Sequence, residues 1–277
     1  MKHILLCLLL LTASSISSAQ DINSPHKIAT QKYFNFSIER LKNTEEYLER
    51  LLHKLEAGHT AAAKEDYVKA HFQYESVRPL ILLFPNLNTL VDSHFEQLPK
   101  DTNSLGFVGF HALEYELFVK HDTVRALVET QKLINNLRII IEFMKKQEIT
   151  CFHLMSILPT FTQQIINNKL SGHDSVYSES GLSEIAANLE GIQLIIDQTK
   201  IFLPKNLVTE LAQSEATIYQ ILERYKLDDI HQPFSTLNAS DKDLIRTETQ
   251  HLSKLLMQLN TVLAKQLATP AIPKRNT

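Results

Sequence analysis

The sequence contains no tryptophan, only six glycines and only two cysteines among 277 residues. Scarce glycine, together with abundant leucine, isoleucine, lysine, glutamate and glutamine, favours helix. We find no useful length of the alternating apolar pattern of strands, no short repeat and no low-complexity tract. The formal net charge of −3 is close to balance, which excludes the basic footprint of a nucleic-acid-binding protein.

Few cysteines also exclude a disulfide scaffold. Residues 1–19 are typical of a secretory signal, with Lys2 before a short apolar run and small residues up to Ala19. The run is too short for a stable membrane anchor, so we expect cleavage near Ala19, an exported chain and no membrane span in the mature protein. Cleavage removes Cys7 and leaves Cys151 alone, which we predict to be a buried structural thiol.

Apolar residues recur at helical spacing through most of the remaining chain. Pro79 is expected to bend or interrupt the second helix near Ser76, Asp122 to cap a later helix, and Pro159 to kink another. Residues 20–30, 84–103 and 226–239 are expected to be irregular. The predicted helices cover 33–57, 60–83, a segment ending near 119, 122–146, 150–170, a segment through 182–196, 207–225 and 240–267.

This pattern predicts an all-α fold of one or more up-and-down helical bundles. The predicted organisation is a signal peptide at 1–19, a helical domain at 20–269 and a disordered tail at 270–277.

One apolar segment, residues 106–118, carries an HxxE motif formed by His111 and Glu114. Residues three apart lie on one face of a helix, so the imidazole and the carboxylate can converge. A polar pair in such surroundings is costly to bury without a partner, and a cation would satisfy both groups. The alternative is a partly exposed histidine beside a solvated glutamate, since HxxE occurs often by chance.

Several further segments, in order and with matching spacing, carry a resemblance to a known family. Together with 109–114 they resemble the imelysin-like domain of the EfeO/EfeM periplasmic iron-uptake proteins, over nearly the whole mature chain. The resemblance is to the shorter EfeM type, without a cupredoxin-like domain. The other matching segments are 74–79, 84–92, 169–172, 177–178 and 187–188 with Gly191.

The resemblance implies an all-helical, imelysin-like fold and a metal site that contains His111 and Glu114. It adds Glu75 and Asp92, which match carboxylates of the family site, and Asp174, which matches a further acidic position. Glu75 could instead be a surface helix glutamate and Asp92 a turn or helix-cap residue, and whether Asp174 or the adjacent His173 is the ligand stays open. One nitrogen and several oxygens suit iron, and zinc or copper would compete well.

The resulting hypothesis is a periplasmic, non-enzymatic protein that captures iron and passes it on. The resemblance implies an inner-membrane iron permease and a periplasmic haem peroxidase as partners. Two alternatives stay open. The family was also described as metallopeptidases because of the HxxE motif, and a short member resembles an alginate-binding, that is polysaccharide-binding, protein.

Overall fold

The computed structural model describes residues 25–93 and 107–268 and is almost entirely helical there. The predicted signal peptide (1–19) and tail (270–277) lie outside the described residues, and the domain boundaries stay predictions. The helices are α1 (Pro25–Glu56), α2 (Thr60–Glu75), α3 (Arg78–Ile81), α4 (Pro85–Val91), α5 (Phe110–Glu114), α6 (Thr123–Met144), α7 (Cys151–Gln164), α8 (Gly181–Thr199), α9 (Lys205–Glu223) and α10 (Ala239–Ala268).

Short segments of other geometry extend or connect these helices. A π-helical turn, Tyr115–Lys120, continues α5, and another, Ile165–Lys169, continues α7. Strands β1 (Lys226–Leu227) and β2 (Ile230–His231) form a small antiparallel hairpin. The 3₁₀ segments are Lys200–Phe202 and Phe234–Thr236.

Two groups of helices pack around α8. Helix α1 lies along α2 and α6, α10 lies along α7 and α9, and α8 contacts α1, α2, α7 and α9. One contiguous cluster of buried apolar side chains draws members from all of these helices. In α1 the buried Leu41, Leu48 and Leu55 recur every seven residues, which places them on a single stripe facing this core. The all-α bundle predicted from the sequence is confirmed.

Local signals account for several helix ends. The Asp122 side chain accepts a hydrogen bond from the Arg125 amide at 2.9 Å, as a helix cap should. Helix α2 stops at Glu75 and α3 begins at Arg78, so the predicted interruption near Ser76 is confirmed. Cys151 is a buried free thiol, 3.2 Å from Thr30 Oγ1, also as predicted.

Three expectations about irregular segments were wrong. Helix α1 begins at Pro25, inside the stretch 20–30 that was expected to be loose. Helix α4 occupies 85–91 within the expected irregular segment, with proline at its start, where a missing amide proton costs nothing. The predicted loop 226–239 contains the β1–β2 hairpin, whose two residue pairs are too short to show alternation.

Candidate metal centre

The candidate site begins where α4 meets α5. Gly109 has φ of 87° and forms a β-bridge with Asp92. A Cβ atom on Gly109 would lie 2.2 Å from the Val91 carbonyl oxygen, so only glycine permits this approach. The contact seats Asp92 directly beside His111 in the first turn of α5.

His111 lies at the centre of the first half of the site, which also contains Asp92, Glu114 and Asp174. Its Nε2 lies 3.1 Å from Asp92 Oδ1 and 3.3 Å from Asp174 Oδ1. Its Nδ1 lies 3.3 Å from Glu114 Oε2. Since all four side chains are buried, the ring is fixed between three carboxylates away from water.

Glu114 also attaches a loop to α5. Its Oε1 accepts hydrogen bonds from the Tyr177 amide at 3.1 Å, the Ser178 amide at 2.8 Å and Ser178 Oγ at 2.7 Å. Residues 174–180, called here the Asp174 loop, are thereby held against the HxxE turn. One carboxylate oxygen of Glu114 thus binds the loop, and the other faces His111.

Glu75 lies at the last turn of α2, in the second half of the site. Its Oε1 lies 3.3 Å from His71 Nε2, 2.8 Å from an Arg78 guanidinium nitrogen and 3.2 Å from Lys169 Nζ. Its Oε2 accepts a hydrogen bond from the side-chain Nδ2 of Asn188 at 2.6 Å. The break between α2 and α3 lets Arg78 turn back onto the carboxylate three residues before it.

Two cationic side chains join the halves. The Arg78 guanidinium lies 2.6 Å from Asp92 Oδ2 and 3.6 Å from Asp174 Oδ2. Lys169 Nζ lies 2.8 Å from Asp174 Oδ2 and 2.6 Å from Glu184 Oε2. Because these contacts share carboxylates, the two halves form one buried cluster.

Glu184 completes the cluster from α8. Its Oε1 lies 3.1 Å from His71 Nδ1 and accepts hydrogen bonds from Ser175 Oγ and from Ser180 Oγ, the latter at 2.5 Å. His71 therefore bridges Glu75 and Glu184, much as His111 bridges its own carboxylates.

The described residues of the cluster carry more acid than base. Among them, five carboxylates face two permanent cations, Arg78 and Lys169, and two imidazoles, and all nine side chains are buried. Even with both imidazoles protonated, these nine residues carry five negative charges and four positive ones. A buried imbalance of this sign favours uptake of a further cation. The carboxylates are Glu75, Asp92, Glu114, Asp174 and Glu184.

The pKa values follow from these contacts. Burial lowers the pKa of His111, but its bonds to Asp174, Asp92 and Glu114 outweigh burial and hold the pKa well above its usual value. Burial acts on His71 in the same way, yet Glu184 and Glu75 raise its pKa to about 9. Burial raises the pKa of Asp92, but Arg78 and His111 dominate and lower it to about 2. Without a metal the cluster is therefore a network of ion pairs at neutral pH.

All five residues predicted from the sequence lie in this cluster. Asp92, His111, Glu114 and Asp174 are in direct contact, and Glu75 joins them through Arg78 and Lys169. His173, considered beside Asp174, is exposed. One ligand atom each from His71, Glu75 and Asp92 fall within 4.8 Å of one another, a spacing that one ion can bridge. The donors are imidazole nitrogen and carboxylate oxygen, which suit iron, zinc and copper.

Sequence reasoning missed four residues of the cluster: His71, Arg78, Lys169 and Glu184. His71 was given no role, although it lies one helical turn before Glu75, a spacing that puts both on one face. Arg78 and Lys169 stood in segments that matched the family but were given no role. No sequence signal marked Glu184, which is one of two glutamates in α8.

The fold and the cluster together define an all-helical protein with a buried histidine–carboxylate centre able to hold a cation. The family model described as imelysin, which bears a peptidase label, matches residues 29–269. The chain belongs to the imelysin family.

Curated relatives carry names from iron uptake. The iron uptake system component EfeM of Pseudomonas syringae pv. syringae is 24% identical over 203 residues, covering 71% of this chain and 70% of that protein. The components EfeO of Escherichia coli and of Shigella flexneri are each 25% identical over 215 residues, 76% of this chain and 56% of theirs. The chain thus spans about half the length of these EfeO relatives. Among the described residues, no helix combines the length and apolar character needed to cross a bilayer.

Proposed function

We propose that this protein is a periplasmic component of an iron-uptake system that binds an iron cation in the buried cluster and passes it to an inner-membrane permease. The observation that carries the proposal is the surplus of buried carboxylates around two histidines among the described residues, in a chain whose relatives are named as iron-uptake components. Relatives with such names favour a carrier over an enzyme. A periplasmic haem peroxidase is proposed as a further partner, on the resemblance alone.

Within the cluster, Glu75, Asp92 and Asp174 would supply oxygen ligands and His111 Nε2 a nitrogen ligand. Glu114 would hold His111 in the tautomer that carries its proton on Nδ1, which leaves the Nε2 lone pair for the metal. His71 lies close enough to Glu75 and Asp92 to add a second nitrogen. Ferrous or ferric iron fits this set, with zinc and copper as competitors.

Titration of the purified protein with Fe²⁺ under anaerobic conditions, Fe³⁺, Zn²⁺ and Cu²⁺ tests the proposal. We expect about one tightly bound equivalent. The double change His111→Ala with Glu114→Ala should lower affinity at least about a hundredfold. Binding that survives this change unaltered would remove the site assignment.

The chain offers a matched control for that experiment. His53 and Glu56 form a second HxxE pair with Nδ1 and Oε2 3.5 Å apart, but their side chains are 81% and 62% exposed. Replacing both with alanine should leave metal binding unchanged, which separates the buried pair from the motif as such.

The family's peptidase label favours one rival function. A peptidase needs a metal-bound water at an open position, whereas here Asp92 and Asp174 lie at His111 Nε2 and would fill the coordination sphere beside it with carboxylates. Peptide hydrolysis that rises with metal content would support the peptidase. Oligosaccharide binding that persists in chelator would support the polysaccharide-binding alternative.

A further inference from the structure

We propose that the Lys169 ammonium is a resident counter-cation that the incoming metal ion displaces from its carboxylates, so that Lys169 limits the affinity of the site. This inference rests on the proposed function, because it concerns how the same cluster accepts its cargo.

The first observation is where the ammonium lies. Nζ of Lys169 is within 3.2 Å of carboxylate oxygens from Glu75, Asp174 and Glu184. Its side chain is only 2% exposed, so these acids, rather than water, offset its charge. Two of them, Glu75 and Asp174, belong to the proposed ligand set.

The second step is electrostatic. A metal ion bound to Glu75 and Asp174 would lie within a few ångströms of an ammonium that contacts the same two carboxylates. Like charges this close repel strongly where water is excluded. The lysine and the metal therefore compete for the same oxygens, and the better-bound cation displaces the other.

The third observation is room to move. A cavity of about 160 Å³ opens beside the cluster, and Lys169 and Asp174 both line it. Gly172, Phe234 and the acidic Glu179 form other parts of its wall. Rotation about the side-chain bonds of Lys169 would move its ammonium out of the cluster into this cavity, where Glu179 supplies a carboxylate.

Arg78 is the less suitable cation to move. Its guanidinium contacts Glu75 through one terminal nitrogen and Asp92 through the other, an arrangement that a rigid planar fork holds well. It is also not part of the cavity wall, whereas the lysine ammonium is a compact charge on a mobile chain. The structure thus assigns the exchange to Lys169.

The test compares Lys169→Met with the wild-type protein by Zn²⁺ and Fe²⁺ titration at pH 7. Loss of the competing charge should tighten binding about tenfold. Lys169→Arg, which keeps the charge, should give no such gain. Lys132→Met is the surface control, because Lys132 pairs with Glu129 at 2.8 Å while 51% exposed, and it should leave affinity unchanged.

A folded Lys169→Met protein with unchanged or weaker affinity would overturn the exchange while leaving the proposed function standing. Failure of the wild-type protein to bind any of these cations would instead defeat the proposed function.

A second measurement on the wild-type chain decides the matter should Lys169→Met not fold. In protein labelled at the lysine side chains, the buried ammonium should give a slowly exchanging NMR signal, assigned by its loss in Lys169→Arg. Stoichiometric Zn²⁺ should shift that signal and speed its proton exchange. A signal that does not respond to bound Zn²⁺ would refute displacement.

Discussion

Glu114 faces Nδ1 of His111 and would decide which ring nitrogen binds a metal. A carboxylate can only accept a hydrogen bond, so when a cation replaces the proton on Nε2, the proton on Nδ1 stays opposite Glu114. The side chain of a glutamine at position 114 could still accept the hydrogen bonds from Tyr177 and Ser178 through its carbonyl oxygen. Its amide nitrogen would then donate a hydrogen bond to His111 Nδ1. The proton of the ring would then sit on Nε2 and block coordination.

Glu114→Gln should therefore weaken Zn²⁺ and Fe²⁺ binding by about 10- to 100-fold while the fold stays intact. Isothermal titration measures the affinity and circular dichroism monitors the fold. The control is Glu56→Gln in the exposed HxxE pair, for which no change is expected. Equal affinities for the wild type and Glu114→Gln would show that Glu114 does not orient the ring.

Glu215 is a buried acid outside the cluster and makes the stability depend on pH. Among the described residues, its Oε1 has no hydrogen-bond partner. Burial first, and the Asp197 charge second, raise the pKa of Glu215 from 4.5 to about 8. The folded state thus favours the protonated form of Glu215. Its contribution to the free energy of unfolding is full below pH 4.5, the pKa in the unfolded chain, and is lost as pH rises through about 8.

Glu215→Gln should be more stable than the wild type at pH 8 by a few kcal/mol, on the order of 2 to 4. The difference should shrink steadily towards pH 5. Urea unfolding of both proteins across this range measures it. Parallel stability curves would show that Glu215 does not titrate in this range.

The five residues that a motif or a resemblance marks lie together in the structure, and their role as metal ligands stays a prediction. His111 and Glu114 stand in a motif, and Glu75, Asp92 and Asp174 stand in segments that resemble the family. Glu184 was missed because nothing local separates a buried glutamate in α8 from a solvated one, and only the partners brought by the fold reveal its burial.

Among the elements, α5 depends most on a single backbone position. Gly109 supplies a positive φ and a close approach to Val91, which together seat Asp92 beside His111. Gly58 has a similar φ of 76° but nothing within 4 Å of an added Cβ. Gly109 also has ψ of −155°, a combination that other residues essentially never adopt, so Gly58 is a control only for a positive φ in open space.

Gly109→Ala should destabilise the protein by roughly 3 kcal/mol or more and lower metal affinity. Gly58→Ala should cost only about 1 kcal/mol and leave affinity unchanged. Chemical unfolding with parallel Zn²⁺ titration compares them. If the two variants behaved alike, the Val91–Gly109 contact would have no special role in placing Asp92.

Long helices could be predicted from sequence because each repeats its apolar stripe many times. Short elements could not, since α4 has seven residues with only Val91 buried, and each strand of the hairpin has two residues. The predicted start of the last helix at 240 lies one residue after the start of α10 at Ala239. The Asn238 side chain precedes this helix and accepts a hydrogen bond from the Asp241 amide at 2.8 Å.

A cation bound in the cluster should stabilise the whole molecule, because the cluster joins α2, α5, α8, the end of α7 and the Asp174 loop. A cation that binds only the folded state at a hundredfold excess over its Kd adds about 2.7 kcal/mol. For a domain of this size that corresponds to a rise in Tm of roughly 5 to 10 °C.

Differential scanning calorimetry with and without Zn²⁺ checks this, and EDTA should return the Tm to its starting value. The His111→Ala with Glu114→Ala protein serves as the control and should show no rise. A rise of the same size in that control would place the binding elsewhere on the chain.

The meeting of these elements could not be derived from the sequence. His71 and Glu184 are more than a hundred residues apart, yet His71 Nδ1 and Glu184 Oε1 lie 3.1 Å from each other. Such a pairing depends on how α2 and α8 pack, and a single sequence carries no direct record of that packing.

The Asp174 loop bears on how cargo could be let go. It begins with Asp174, a proposed ligand. Its amides at 177 and 178 donate hydrogen bonds to Glu114, the carboxylate that faces His111 Nδ1. A receiving protein that lifted this segment would withdraw the Asp174 oxygen from His111 and remove the hydrogen bonds that hold Glu114, in the same movement. Unloading would then require opening a flap a few residues long, with the helices themselves left in place.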